Sequence, residues 1–208
     1  MSAVILGRRD RKRLAARAAI VDASTQLFVE HGFEQTRIEA IAARADVGVG
    51  SVYTHFAAKT DILVAILTGD ARAVVDRTRA IVERGEPDAS RLMSDVAAVL
   101  LEVMERRPRD LWQDLIGHAL LDRGDLHAAY DRVERLLHGL IVSGLARLRE
   151  NGKLEASMAI EDAADIVFAL AKHVVYQFVF DHTTAVPTIL ATLERQLRLA
   201  FGARQSDR

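Results

Sequence analysis

Apolar residues recur at intervals of three and four along almost the whole chain. Ile20, Ala23, Leu27 and Phe28 lie on one helical face, so Arg11 to His31 is predicted as an amphipathic helix, with Gly32 as its left-handed stop. Thr36, followed three residues later by Glu39, is the pattern of a capping box; the short helix it opens turns Ile38, Ile41, Ala42 and Ala45 inward. A second short helix is predicted from Val49 to His55, after Asp46-Val47-Gly48. Thr60 or Asp61 then caps a long helix running through Ile62, Leu63, Ile66, Ala73 and Val74 toward Gly85. Further helices are predicted over Ala89–Arg106, Arg109–Asp122, Leu126–Glu150, Ile160–Asp181 and Val186–Phe201, with Asn151-Gly152 closing one of them. The three prolines, Pro87, Pro108 and Pro187, stand where a helical pattern stops or starts, and no alternating run argues for a strand. The expected fold class is all-α, about nine helices, divided into an N-terminal domain over residues 1–60 and a helical domain over residues 61–208.

Composition narrows what such a fold does. Half of the residues are apolar, which is the globular range. The absence of Cys excludes a disulfide framework, thiolate zinc sites, iron–sulfur clusters and a Cys nucleophile. The seven histidines are scattered, no carboxylate pair stands out, and Gly48-Val49-Gly50 follows no strand. No catalytic residue, metal or cofactor is therefore expected, and the chain is read as not an enzyme. Lys172 interrupts the longest apolar stretch, and Val4-Ile5-Leu6 precedes Arg8-Arg9, the reverse of a secretory signal's charge order. These features favour a cytoplasmic protein without a membrane partner.

Charge adds an asymmetry that the net value of −1 conceals. Over residues 1–60 nine basic side chains oppose six acidic ones, a balance of +3, and the remainder carries −4. Five of the positive charges fall within Arg8 to Arg13. A basic head on an acidic body points one end of the molecule at a polyanion, with the basic segment expected to order on DNA by following phosphates or entering a minor groove.

The stretch from Thr36 to Lys59 carries the most specific signal. Two short helices lie three residues apart and a long one follows at once, with Ile38, Ile41, Ala42, Val47, Val52 and Phe56 placed to pack them at a steep angle. That is a helix-turn-helix over residues 37–56, whose second helix is short enough to enter a major groove. Gly50 permits close backbone approach, while Ser51, Tyr53, Thr54 and His55 offer groups that suit phosphate oxygens and base edges. Lys59 arrives at the start of the next helix, where its charge favours a phosphate.

The run Ile20-Val21-Asp22-Ala23, Leu27-Phe28, His31-Gly32-Phe33, Thr36, Ile41-Ala42, Val47, Gly50-Ser51-Val52-Tyr53-Thr54-His55-Phe56 and Lys59 resembles the TetR family of transcriptional regulators over roughly residues 11–67. The resemblance implies a homodimeric, ligand-responsive, DNA-binding repressor of a palindromic operator. By matching position it implies that Thr36, Tyr53, His55 and Lys59 hold phosphates, that Val49, Gly50, Ser51 and Thr54 face base edges, and that Arg37 and Arg44 flank the groove. The sequence departs from the family pattern at Gly48, where Ser or Thr is more usual, at Val49, often polar or basic, and at Asp46, usually Gly.

The body must then supply self-association and control. The predicted helix Ile160–Asp181 is apolar nearly all round, and Ile166, Leu170, Val174 and Phe178 on it, with Ile189, Leu193 and Leu197 on the last helix, are expected to form a dimer interface. Met104, Trp112, Ile116, His118, Phe168, His173, Tyr176 and Gln177 are the candidates to line a pocket for a small, apolar effector. The expected partners are double-stranded DNA, a second copy of the chain and that effector. The competing reading is a helical interaction or scaffold protein without DNA binding.

Overall fold

The computed structural model describes residues 7–121, 123–155 and 157–201. Among them every regular element is a helix: α1 (Arg8–His31), α2 (Ile38–Arg44), α3 (Val49–His55), α4 (Lys59–Arg84), α5 (Ala89–Glu105), α6 (Arg109–Leu121), α7 (Asp125–Glu150), α8 (Ile160–Phe180) and α9 (Val186–Phe201). The all-α expectation holds, and most limits fall within a residue of those predicted. Two starts move for identifiable reasons. α1 begins three residues early, so Arg8 to Arg13 form its exposed first turns rather than an irregular arm. α4 begins at Lys59, and Asp61 caps it from inside the first turn, its Oδ2 accepting the Ala58 N–H at 2.9 Å.

The chain divides into two compact units. The first comprises residues up to Thr68 together with Asp114–Ala129; the second comprises Gly69–Gln113 and residues from Tyr130 onward. The sequence boundary at residue 60 thus differs from the division by contacts, because the second half of α6 and the start of α7 join the N-terminal helices.

In the first unit α1 packs against α2 and α3, and α2 against α3. Ile20, Leu27 and Phe28 of α1, Ile41 and Ala42 of α2, Val52 of α3 and Phe56 just beyond it are all buried. A buried aliphatic or aromatic side chain of this kind contributes roughly 1.5–3 kcal/mol relative to exposure. α1 stops at Gly32, whose φ of 79° and ψ of 159° is a region that essentially only glycine occupies. α2 stops differently. Asp46 takes φ 53°, the Val47 N–H reaches back to Ala42 O at 3.0 Å and the Asp46 N–H to Ala43 O at 3.4 Å, the paired bonds of a Schellman ending.

In the second unit α9 packs on α5 and α8, and α5 on α8. This corrects the interface expectation. Ile189, Leu193 and Leu197 of α9, with Val174 and Phe178 of α8, are buried in the chain's own core and have no surface left for a partner. An amphipathic stripe demands burial somewhere, and here α5 supplies the other wall. Ile166 remains 54% exposed and Leu170 half-buried. α8 is long and apolar enough to cross a membrane by length and composition, but one of its faces is core.

Gly32→Ala places a Cβ on a backbone conformation that L residues avoid. The substitution should lower stability by roughly 1–3 kcal/mol, read as a shift of the urea unfolding midpoint at unchanged slope.

Candidate nucleic-acid interface

α3 is a prong held by one buried side chain. Among its seven residues only Val52 is buried, while Val49, Gly50, Tyr53 and Thr54 are exposed and Ser51 and His55 half-buried. The base-edge candidates Val49, Gly50, Ser51 and Thr54 and the phosphate candidates Tyr53 and His55 therefore share one short helix with its outer faces free. Tyr53 is 54% exposed. The Thr54 hydroxyl donates to Gly50 O at 2.8 Å, so what it offers outward is an acceptor, suited to a base amino group rather than a phosphate oxygen. Gly48 occupies the N-cap of α3 with extended φ and no side chain to cap it, which costs a few tenths of a kcal/mol relative to Ser.

Two of the predicted phosphate ligands are committed elsewhere. Thr36 is 4% exposed, and its hydroxyl lies 2.8 Å from Gly32 O and 3.2 Å from Leu27 O, tying the loop back onto the end of α1. It is not the N-cap of α2 either; Arg37 holds that position without a side-chain cap. The local capping pattern lost to the turn after α1, where Gly32 O, the nearer of the two carbonyls, takes the single hydroxyl proton. Lys59 is turned the same way. Its ammonium donates to Phe33 O at 2.5 Å, Glu34 O at 3.1 Å and Thr36 O at 3.1 Å, and sits 4.3 Å from the centre of the Phe33 ring. An ammonium has three donors, and all three are placed. Both residues hold the loop behind the prong instead of a phosphate before it.

The flanking arginines differ. The Arg37 side chain is exposed, with no hydrogen bond or ion pair among the described residues. Arg44 donates to Glu30 of α1 at 2.5 Å, a bond that raises its pKa and lowers that of the carboxyl. Both groups lie at the surface, so the pair adds little stability and instead offsets one positive charge beside α3. Arg17 lies 4.9 Å from the centre of the Phe56 ring. The basic turns Arg8, Arg9, Arg11, Lys12 and Arg13 are all exposed.

Sequence reasoning missed how α6 enters this unit. The Asp114 carboxylate accepts the Phe33 N–H at 3.1 Å, and His118 meets Glu34 at 3.0 Å and packs edge-on against Phe33 with 4.7 Å between ring centres. Contacts spanning some 80 residues leave no local sequence signal.

The predicted effector residues fall in both units. Ile116 and His118 belong to the first unit, the other six to the second. Met104 and Trp112 are buried, with the indole N–H donating to Met104 O at 2.9 Å. Phe168 is half-buried with the His138 ring edge-on at 5.5 Å, and Gln177 is half-buried. His173 and Tyr176 are exposed on α8, Tyr176 by 62%, and so line no interior pocket. Two buried hydroxyls that the sequence did not single out, Thr78 Oγ1 and Ser94 Oγ in the second unit, have no hydrogen-bond partner among the described residues. No group of three or more residues suited to hold a metal occurs among the described residues.

Comparison with known proteins gives a consistent result. Residues 20–66 match the family model described as bacterial regulatory proteins, tetR family. The HTH-type transcriptional repressor Rv3405c of Mycobacterium tuberculosis is 30% identical over 154 residues, covering 73% of this chain and 69% of that protein. The HTH-type transcriptional repressor BepR of Brucella suis is 26% identical over 161 residues, 74% of this chain and 76% of that protein. The transcriptional regulator FadR of Bacillus subtilis, solved in complex with stearoyl-CoA, superposes with a TM-score of 0.69 at 18% identity, covering 89% of this chain and 97% of that one.

Lys59→Met keeps the aliphatic stem but leaves three carbonyls without their donor. It should destabilise the protein by about 1–3 kcal/mol in urea unfolding, whereas a lysine that merely touched phosphates would leave the midpoint unmoved.

Proposed function

This chain belongs to the TetR family of bacterial regulatory proteins, and on that premise we propose that it works as a homodimer that sets two copies of α3 into successive major grooves of an operator. It is a DNA-binding transcriptional regulator of the repressor type, responsive to a small ligand. The observation that carries the interface is the free outer surface of α3, presented by a helix with a single buried residue. A scaffold without DNA binding has no use for such a prong, nor for six basic residues exposed at Arg8, Arg9, Arg11, Lys12, Arg13 and Arg37.

The assignment of roles follows from what each side chain has left to give. Ser51 and Thr54 read base edges, Val49 makes apolar contact such as with a thymine methyl, and Gly50 lets the backbone approach. Tyr53, His55, Arg37 and the first turns of α1 hold phosphates; Arg44 does so only by giving up Glu30. Thr36 and Lys59 act from behind by fixing the loop before α2.

Dimerisation uses the outer face of α8. Ile166, Ala169, His173, Tyr176 and Phe180 recur there at three- and four-residue spacing and are exposed, as is Leu199 of α9 by 83%. Ile166 of the original set belongs to this face and Leu170 borders it. The effector binds within the second unit, where the orphan hydroxyls of Thr78 and Ser94 are groups that a mostly apolar molecule with one or two polar atoms would satisfy. The chain passes between the units along α4, α6 and α7. A coupling of about 1–3 kcal/mol through those helices is enough to switch operator occupancy.

Binding is measured by fluorescence anisotropy on duplexes from the region beside the protein's own gene. Wild-type protein should bind with a steep salt dependence, and Tyr53→Phe should weaken every duplex about a hundredfold, the loss of one hydrogen bond to a charged group in each of the two half-sites. No binding to any duplex would remove the DNA-reading assignment. Ile166→Glu should convert a dimer into a single species of 22.9 kDa in sedimentation at micromolar concentration; a monomeric wild type would overturn the α8 interface.

A further inference from the structure

His118 sits in α6 between two groups that only accept hydrogen bonds. Its Nδ1 is 2.7 Å from the Asp114 carbonyl oxygen, and its Nε2 is 3.0 Å from Oε1 of Glu34. A neutral imidazole carries one N–H and can satisfy one such partner; kept on Nδ1, where the contact is the shorter, that hydrogen leaves a bare Nε2 facing the Glu34 carboxylate, so both bonds require both nitrogens protonated. The ring also packs edge-on against Phe33, whose backbone N–H donates to the Asp114 carboxylate and whose carbonyl accepts from Lys59. The segment held is therefore the loop joining α1 to α2, from which the DNA-reading pair starts.

We propose that His118 is a positioning residue for the DNA-reading helices, bridging α6 to the α1–α2 loop as an imidazolium and releasing that loop when it loses its proton. This inference rests on the DNA-binding reading above for its consequence, though not for its geometry. The charged groups around the ring are few. Glu34 faces it from the loop and Asp114 from its own helix; Lys59 of α4, above the same Phe33 ring, is a like charge, and His127 of α7 binds Ala119 O one residue along α6. Burial opposes the imidazolium, but the bond to the Asp114 carbonyl and the Glu34 carboxylate outweigh it and hold the pKa above the usual histidine value. A group whose pKa rises on folding adds stability below its unfolded pKa, and that stability is lost as pH climbs through the folded value. The clamp is thus closed in mildly acid solution and opens toward alkaline pH.

Glu34→Gln isolates the effect. An amide offers its oxygen to an N–H or its NH2 to a bare ring nitrogen, so the bridge survives on either side of the titration. Three measurements on the full chain decide the matter between pH 6 and 8.5. By NMR, the His118 imidazole should titrate above the ordinary histidine range, and lower in Glu34→Gln. By hydrogen exchange corrected for intrinsic rates, the hydrogen-bonded amides of Phe33 and Thr36 should lose protection several-fold as pH rises in wild type, stay protected in Glu34→Gln, and be unprotected at every pH in His118→Phe. By anisotropy, duplex affinity should fall several-fold over the range in wild type, with less than a twofold fall in Glu34→Gln. The two proteins differ only at residue 34, so the comparison isolates the Glu34 contact. Titration of His118 at or below the ordinary value, or one pH slope shared by both proteins, overturns the proposal. Absence of duplex binding at any pH would sink the DNA reading instead, while titration and exchange would still decide the clamp.

Discussion

The constraint on which the DNA-reading unit depends is the supply of donors to the backbone carbonyls between α1 and α2. A helix end leaves its last carbonyls without intrahelical partners, and the chain here turns back on itself within six residues, from Gly32 to Arg37. Thr36 serves Gly32, Lys59 serves Phe33, Glu34 and Thr36, and Asp114 receives the Phe33 N–H. Remove these and the loop has only water to satisfy it. α2 and α3 are seven residues each, too short to persist by helix propensity, so their position is whatever α1 and this loop make it.

That account also explains which part of the interface was legible in the sequence. α3 could be read because its evidence is local: Val52 inward, Tyr53 and Thr54 outward, and a turn of fixed length before it. Thr36 was legible as a polar loop residue, but its partner was not. A Thr three residues before Glu39 fits a capping box, and the same hydroxyl serves α1 equally well once Gly32 turns the chain back. Lys59 posed the same problem, since a cation near a helix start suits phosphate or carbonyl oxygens. The α9 stripe of Ile189, Leu193 and Leu197 likewise specified burial without specifying the wall, and α5 is that wall. His118 left no local trace because its partner is 84 residues away.

Charge around α3 is finely balanced for a polyanion reader. Arg44 is paired with Glu30, Lys59 is turned inward, and Asp46 stands in the turn before α3 with φ of 53°. Among the described residues of this unit, Arg37 at the start of α2, Arg17 and the first turns of α1 carry exposed positive side chains without an ion pair. Because α1 is one helix from Arg8 to His31, those turns extend from the element that positions α2 and α3. Their contribution to affinity is long-range and sequence-independent, screened over about 10 Å at 0.1 M salt. On the proposed assignment, discrimination between sequences falls to Val49, Ser51 and Thr54.

The division of α6 between the two units bears on how a ligand could speak to this interface. Trp112 and Gln113 close one unit, while Asp114 and His118, one turn further along the same helix, hold the α1–α2 loop of the other. An α-helix rises about 1.5 Å per residue, so Trp112 and His118 are separated by roughly 9 Å of hydrogen-bonded backbone. A sub-ångström shift of such a segment is ample to break a bond of 3.0 Å, because hydrogen bonds weaken steeply with misalignment. On the proposed reading, His118 serves as a link at the α1–α2 loop rather than as a pocket residue.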